Sequence, residues 1–178
     1  MSNKISIAID AMGGDNSPDK IIKGIKIFLD LNKSNDDFVL NVFGNEEIIK
    51  NKMEILKMDL SKIRIINSIK TVSDDESPMT AVKNSKGTSM WNCIQHQLDG
   101  KSDVSLSAGN TGVLLVISRM ILKMMNEVSK PALAGLWPSN NGMNVVLDLG
   151  ANIECNDKNQ CHQFPRDFSQ QGHLGPRK

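Results

Sequence analysis

Two periodicities run through the chain. Residues 5–9 and 145–149 are nearly continuous apolar runs rich in β-branched side chains, the pattern of strands covered on both faces in a parallel sheet. Residues 38–43, 63–66 and 104–107 read as further short strands. Between them apolar positions recur at helical spacing over 45–58, over 77–98 with a break near Gly87, and from about 110 to 125. The alternation predicts a three-layer α/β/α fold, Rossmann-like, with a mainly parallel sheet and right-handed crossovers.

The helices differ in how much of their surface is apolar. In the first, Ile21, Ile22, Ile25, Phe28 and Leu29 share one face while Lys20, Lys23, Lys26 and Asp30 take the other, so it is expected to lie on the sheet with its charges in water. Ser17 followed by Pro18 predicts its start, the serine as N-cap and the proline at the first helical position, where a missing amide costs nothing. After Asn110 the pattern changes. Val113, Leu114, Leu115, Val116, Ile117, Met120, Ile121, Leu122, Met124 and Met125 cover most of the circumference, which predicts a buried central helix whose amino end opens near the middle of the molecule.

Three glycine turns punctuate this pattern: DAMGGDN (10–16), SAGNTG (107–112) and DLGAN (148–152). The first and third place an Asp at the carboxyl end of a strand and close on Asp or Asn. Carboxyl ends of parallel strands face one side of a sheet, where ligands bind, so a common site is expected there. The second turn opens the apolar helix, and first-turn amides backed by the helix dipole suit an anion such as phosphate. The alternative is that Gly109 and Gly112 merely permit a tight turn and close helix packing.

Composition narrows the chemistry. A net charge of +1 over 178 residues predicts no general attraction to nucleic acid or anionic lipid, and 39% hydrophobic content is enough for one domain with a core. The apolar run after Lys4 is too short for a signal peptide, and the run 113–117 is far below the roughly 18 residues that span a bilayer. Cys93, Cys155 and Cys161 form neither a disulfide framework nor a CxxC pair, which fits a reducing cytoplasm. Cys93 and His96, three apart on a helix, make only two ligands, so no metal is expected. The dinucleotide fingerprint, the phosphate loop GxxxxGK[ST] and the GxSxG elbow do not occur. Neither a nucleotide cofactor nor a covalent enzyme intermediate is therefore expected.

SIAIDAMGGDNSP, ESPMTAVKNSKGTSM, SAGNTG and VVLDLGAN, in that order, resemble the amino-terminal half of the phosphate acyltransferases of bacterial phospholipid synthesis, the PlsX family, over about residues 5–159. The resemblance implies transfer from acyl-[acyl carrier protein] to inorganic phosphate, giving acyl phosphate. It also implies no cofactor, a fold like that of phosphotransacetylases and isocitrate dehydrogenase, a homodimer, and peripheral association with the membrane. Phosphate or oxyanion binding then falls to Ser107, Gly109, Asn110, Thr111 and Gly112, helped by Gly13, Gly14 and Asn152. Asp10, Asp15 and Asp148 are expected to position donors or the leaving thiolate's proton source, or simply to brace the turns, with Asp10, Asn110 and Asp148 the candidate catalytic groups. Lys83 and Lys86, in a stretch usually richer in basic residues, are candidates for docking an acidic carrier protein, against the alternative of a solvated helix face.

The composition changes after Asn159. Residues 160–178 contain no Ile, Val, Ala, Met or Asn, yet hold Arg166, Arg177, His162, His173, Pro165 and Pro176. Residues 1–159 are therefore expected to be the amino-terminal part of one acyltransferase domain, and 160–178 a divergent, disordered tail left by a frame change or early stop. The family continues for roughly as many residues again, with further strands, the rest of the site and the membrane-associating helices. Two alternatives to the acyltransferase follow: an inactive fragment retaining at most anion or carrier-protein binding, and a phosphotransacetylase-like enzyme using acyl-coenzyme A.

Overall fold

The computed structural model describes residues 4–72, 78–126, 131, 133–139 and 142–147. The chain divides into two units, 1–122 and 123–178. The first contains β1 (Ile5–Asp10), α1 (Asp19–Leu31), β2 (Phe38–Gly44), α2 (Glu46–Ile55), β3 (Ile63–Asn67), α3 (Pro78–Asn84), α4 (Ser89–Leu98), β4 (Val104–Ser107) and α5 (Thr111–Leu122). Its four strands form one sheet in the order β3-β2-β1-β4, every pair parallel. The chain thus builds outward from β1 to β3, then returns to the other side of β1 for β4. That reversal makes the carboxyl ends of β1 and β4 the switch point of the sheet, where α/β proteins open a crevice for ligands.

Pleating sorts the strand residues between two helical layers. Ile9, Leu40 and Val42 point to one face and pack with Ile22 and Ile25 of α1 and Ile49 and Met53 of α2. Ala8 and Phe43 point to the other and meet Cys93 of α4. Beside α4, Met90 and Ile94 pack with Ala81 of α3 and with Val113, Ile117 and Ile121 of α5. The expected α/β/α layering is present. Asn45 caps α2 by accepting the Ile48 amide at 3.1 Å, and Thr88 caps α4 through the Trp91 amide at 3.2 Å. Gly87, at φ +83°, makes the expected break between α3 and α4.

Three expectations need correction. Ser17 is not the cap of α1: Pro18 holds that position with no side-chain cap, and the Ser17 hydroxyl instead donates to the Gly13 carbonyl at 2.6 Å. As a cap the hydroxyl oxygen would accept a first-turn amide, whereas here the O–H is directed back to the carbonyl of the glycine turn. Nor is α5 buried all round. Among the described elements it packs chiefly on α3 and α4, so Val113, Ile117 and Ile121 are covered while Val116, Met120 and Leu122 are exposed. Finally, the strand expected over 145–149 as a parallel partner is β6 (Gly142–Leu147) of the second unit. It pairs antiparallel with β5 (Ala134–Ser139), and Val145 is 48% exposed. A β-branched run marks extended backbone without stating its pairing direction. Gly135 and Pro138 hid β5 from the same reading.

Candidate functional site

The turns after β1 and β4 are joined by one carboxylate. Asp10 ends β1 opposite Phe43 on one side and Ser107 on the other, and only 1% of its surface is exposed. Its Oδ1 accepts the Met12 amide at 3.1 Å, tightening its own turn, and its Oδ2 accepts the Ser107 hydroxyl at 2.8 Å. Ser107 Oγ in turn accepts the Gly109 amide at 3.1 Å. A buried carboxylate is costly without donors, and here its donors come from the two turns that it holds together.

The paired glycines serve this contact. A Cβ on Gly13 would stand 2.6 Å from Asp10 Oδ2, 2.8 Å from Ser107 Oγ and 2.9 Å from the Gly109 nitrogen. Gly14 has φ +87°, and a Cβ there would overlap the Ala108 carbonyl. Side chains at either position would drive the turns apart. The first task of Gly13–Gly14 is therefore backbone packing against residues 107–109.

The unpaired donors lie one step further along. Asn110 Oδ1 accepts the Val113 amide at 3.1 Å, so this residue is the N-cap of α5, a role the sequence reading had not given it. The Gly109 amide is occupied by Ser107. Among the described residues the amides of Thr111 and Gly112 and the Asn110 side-chain nitrogen have no partner, leaving two first-turn donors and one side-chain donor at the positive end of α5.

The remaining candidates are less concentrated. Asp15 is exposed on its turn, and Lys83 and Lys86 are exposed at the end of α3 and in the turn after it. Asp148 and Asn152 lie outside the described residues. Cys93 is buried beneath Asp10, and burial, then the Asp10 charge, pushes its thiol up to about 12, which leaves it unreactive. His96 faces the opposite end of the sheet, its Nδ1 2.8 Å from Ser102 Oγ and its ring edge-on to Phe43. Cys93 and His96 therefore serve different surroundings, and no group of three or more metal-binding side chains occurs among the described residues.

The mainly parallel sheet with helices on both faces is an α/β fold shared with a solved phosphotransacetylase. EutD phosphotransacetylase from Staphylococcus aureus superposes with a TM-score of 0.58 over 90% of this chain and 51% of its own, at 15% identity. Residues 5–165 match the family described as fatty acid synthesis protein, and the chain belongs to that family. A phosphate acyltransferase from Pelagibacter ubique is 50% identical over 159 residues, covering 89% of this chain and 46% of the relative. One from Rhodopseudomonas palustris is 38% identical over 154 residues, covering 86% of this chain and 43% of the relative. The chain spans a little under half the length of these relatives.

Proposed function

We propose that the chain carries the phosphate-holding wall of a phosphate acyltransferase, which transfers an acyl group from acyl carrier protein to inorganic phosphate. The observation that carries this reading is the joining of residues 10–16 and 107–112 at the sheet's switch point, with the Thr111 and Gly112 amides open beside them. Relatives named phosphate acyltransferase support it. Phosphate is already nucleophilic at neutral pH, so the protein must hold it, aim one oxygen at a thioester carbonyl carbon and stabilise the oxyanion that forms. Attack makes the new C–O bond. Collapse then breaks the C–S bond and releases the carrier's thiolate, which takes up a proton.

In this reading Thr111, Gly112 and the Asn110 amide nitrogen hold phosphate or oxyanion. Asp10 and Ser107 keep the turns in register, and Gly13, Gly14 and Gly109 allow their approach. Losing one well-placed oxyanion donor costs about 10²- to 10³-fold in rate. Lys83 and Lys86, both exposed, steer the acidic carrier protein. A homodimer and peripheral membrane association belong to the same reading of the intact protein. No helix among the described residues is long and apolar enough to cross a membrane.

Phosphate titration followed by amide shifts tests the site. Shifts centred on residues 109–112, with smaller ones at 13–14, are expected. Shifts confined to residues beyond 159 would remove the phosphate from this wall.

A further inference from the structure

The layer of α1 and α2 carries a cavity that the proposed site does not use. Its volume is about 380 Å³, and it lies between the carboxyl-terminal part of α1 and residues 57–62, which join α2 to β3. Those segments lead into the amino ends of β2 and β3, so the cavity stands at the opposite end of the sheet from Asp10 and Ser107. Lys26, Lys33, Lys57 and Lys62 line it, against two carboxylates, Asp30 and Asp59. Leu29 and Met58, both half-buried and packed against the core, make part of the lining apolar.

The lysines are not equally engaged. Lys62 is committed to structure: its Nζ donates to the carbonyls of Lys33 and Asn35 at 3.0 and 2.9 Å and lies 2.9 Å from Asp36. Lys26 and Lys33 share the exposed carboxylate of Asp30, at 3.2 and 3.4 Å. Asp59 accepts the amide and the hydroxyl of Ser61. Lys57 has no ion-pair partner among the described residues. Its backbone is unusual as well. The Met58 amide returns to the Met53 carbonyl at 3.1 Å and the Lys57 amide to that of Glu54 at 2.9 Å, a Schellman turn whose left-handed position, φ +50°, falls on Lys57. Glycine is the usual occupant there, because a Cβ is disfavoured. A lysine in the last turn of α2 would complement the helix dipole without left-handed backbone. The turn instead brings an uncommitted ammonium group to a cavity in which two further lysines share one acid.

We propose that this cavity binds a phosphate monoester, its phosphate held among Lys26, Lys33 and Lys57 and its organic group against Leu29 and Met58. Compact ammonium charges suit a phosphate dianion, and the volume lies in the range of small-molecule sites. The inference requires neither acyl transfer nor the amides of Thr111 and Gly112.

The test is titration of the 178-residue chain with phenyl phosphate, followed residue by residue through amide shifts. Saturating shifts over 26–33 and 57–62 are expected. Lys57→Gly should weaken binding about tenfold, the effect of removing a charged donor, without lowering the melting temperature, because glycine suits this backbone better than lysine. Asp30→Asn should tighten binding about two- to fivefold by releasing Lys26 and Lys33 from exposed ion pairs, a gain that a purely structural cluster would not show. Lys20→Gln, at the other end of α1, should leave affinity unchanged. Shifts confined to residues 109–112, a drift at every lysine that never saturates, or an affinity indifferent to Lys57→Gly would overturn the proposal. Saturation over 26–33 and 57–62 with no response at 109–112 would uphold it and count against the proposed function.

Discussion

At the scale of single residues, Asp10 and Ser107 behave as one unit. Removing the Ser107 hydroxyl strips the buried carboxylate of a donor and the Gly109 amide of its acceptor, and removing the carboxylate orphans the serine. Ser107→Ala and Asp10→Ala should each destabilise the protein by about 1–3 kcal/mol, with a coupling of about 1 kcal/mol or more in the double-mutant cycle. Urea unfolding of the four proteins measures this, and additive losses would mean that the two turns are held by something else. His96 allows a second prediction at this scale. Burial, and then Lys101, lowers its pKa below the ordinary 6.5, so the unfolded chain binds the proton more readily than the folded one. The neutral ring's contribution is present above pH 6.5 and is lost as pH falls below 6.5 and through the folded-state value. Stability should drop between pH 7.5 and pH 5, and His96→Gln should flatten that drop. An unchanged slope in the variant would assign the drop to the carboxylates.

Elements were legible where one property decides them. The period of Ile22, Ile25 and Leu29 marks α1 because its burying face and charged face differ, and the apolar run of β1 marks a central strand because both of its faces are covered. What could not be read depends on neighbours distant in sequence. The composition of α5 states how much apolar surface it has, but which part is covered depends on α3 and α4. The Asp in DAMGGDN and the Ser in SAGNTG were recognisable as site residues, yet the bond between them joins positions 97 apart and exists only because β4 returns beside β1. The role of Asn110 as the cap of α5 was readable from its place before the apolar run, and was masked by its attraction as a ligand donor. Thr111 tests the helix end. Proline is tolerated at the first helical position, so Thr111→Pro should leave α5 intact while deleting one amide donor and the hydroxyl. Phosphate affinity should fall about ten- to a hundredfold, the cost of a hydrogen bond to a charged ligand. Calorimetric titration beside a far-ultraviolet spectrum checks both halves of the statement, and unaltered affinity with a native spectrum would take this amide out of the site.

For the whole molecule the governing facts are that the chain spans 46% of its Pelagibacter relative and that Asp10 and Ser107 join two glycine turns at the sheet's switch point. Holding an anion requires donors on one side. Acyl transfer requires more: the thioester carbonyl has to be fixed within attack distance of the bound phosphate, with water kept from competing, and that takes a facing wall. The Thr111 and Gly112 amides stand at the open end of α5, and Thr111 is exposed, so the described residues do not themselves exclude water from the anion. The 178-residue chain alone is therefore expected to bind phosphate and to show no phosphate-dependent release of free carrier protein from a long-chain acyl thioester. Adding phosphate should still raise its melting temperature, because a ligand that binds only the folded state stabilises it by mass action. Both measurements are made on one preparation whose mass shows that it ends at Lys178. Turnover comparable to that of a full-length relative would place the entire site within the 178 residues and overturn this expectation.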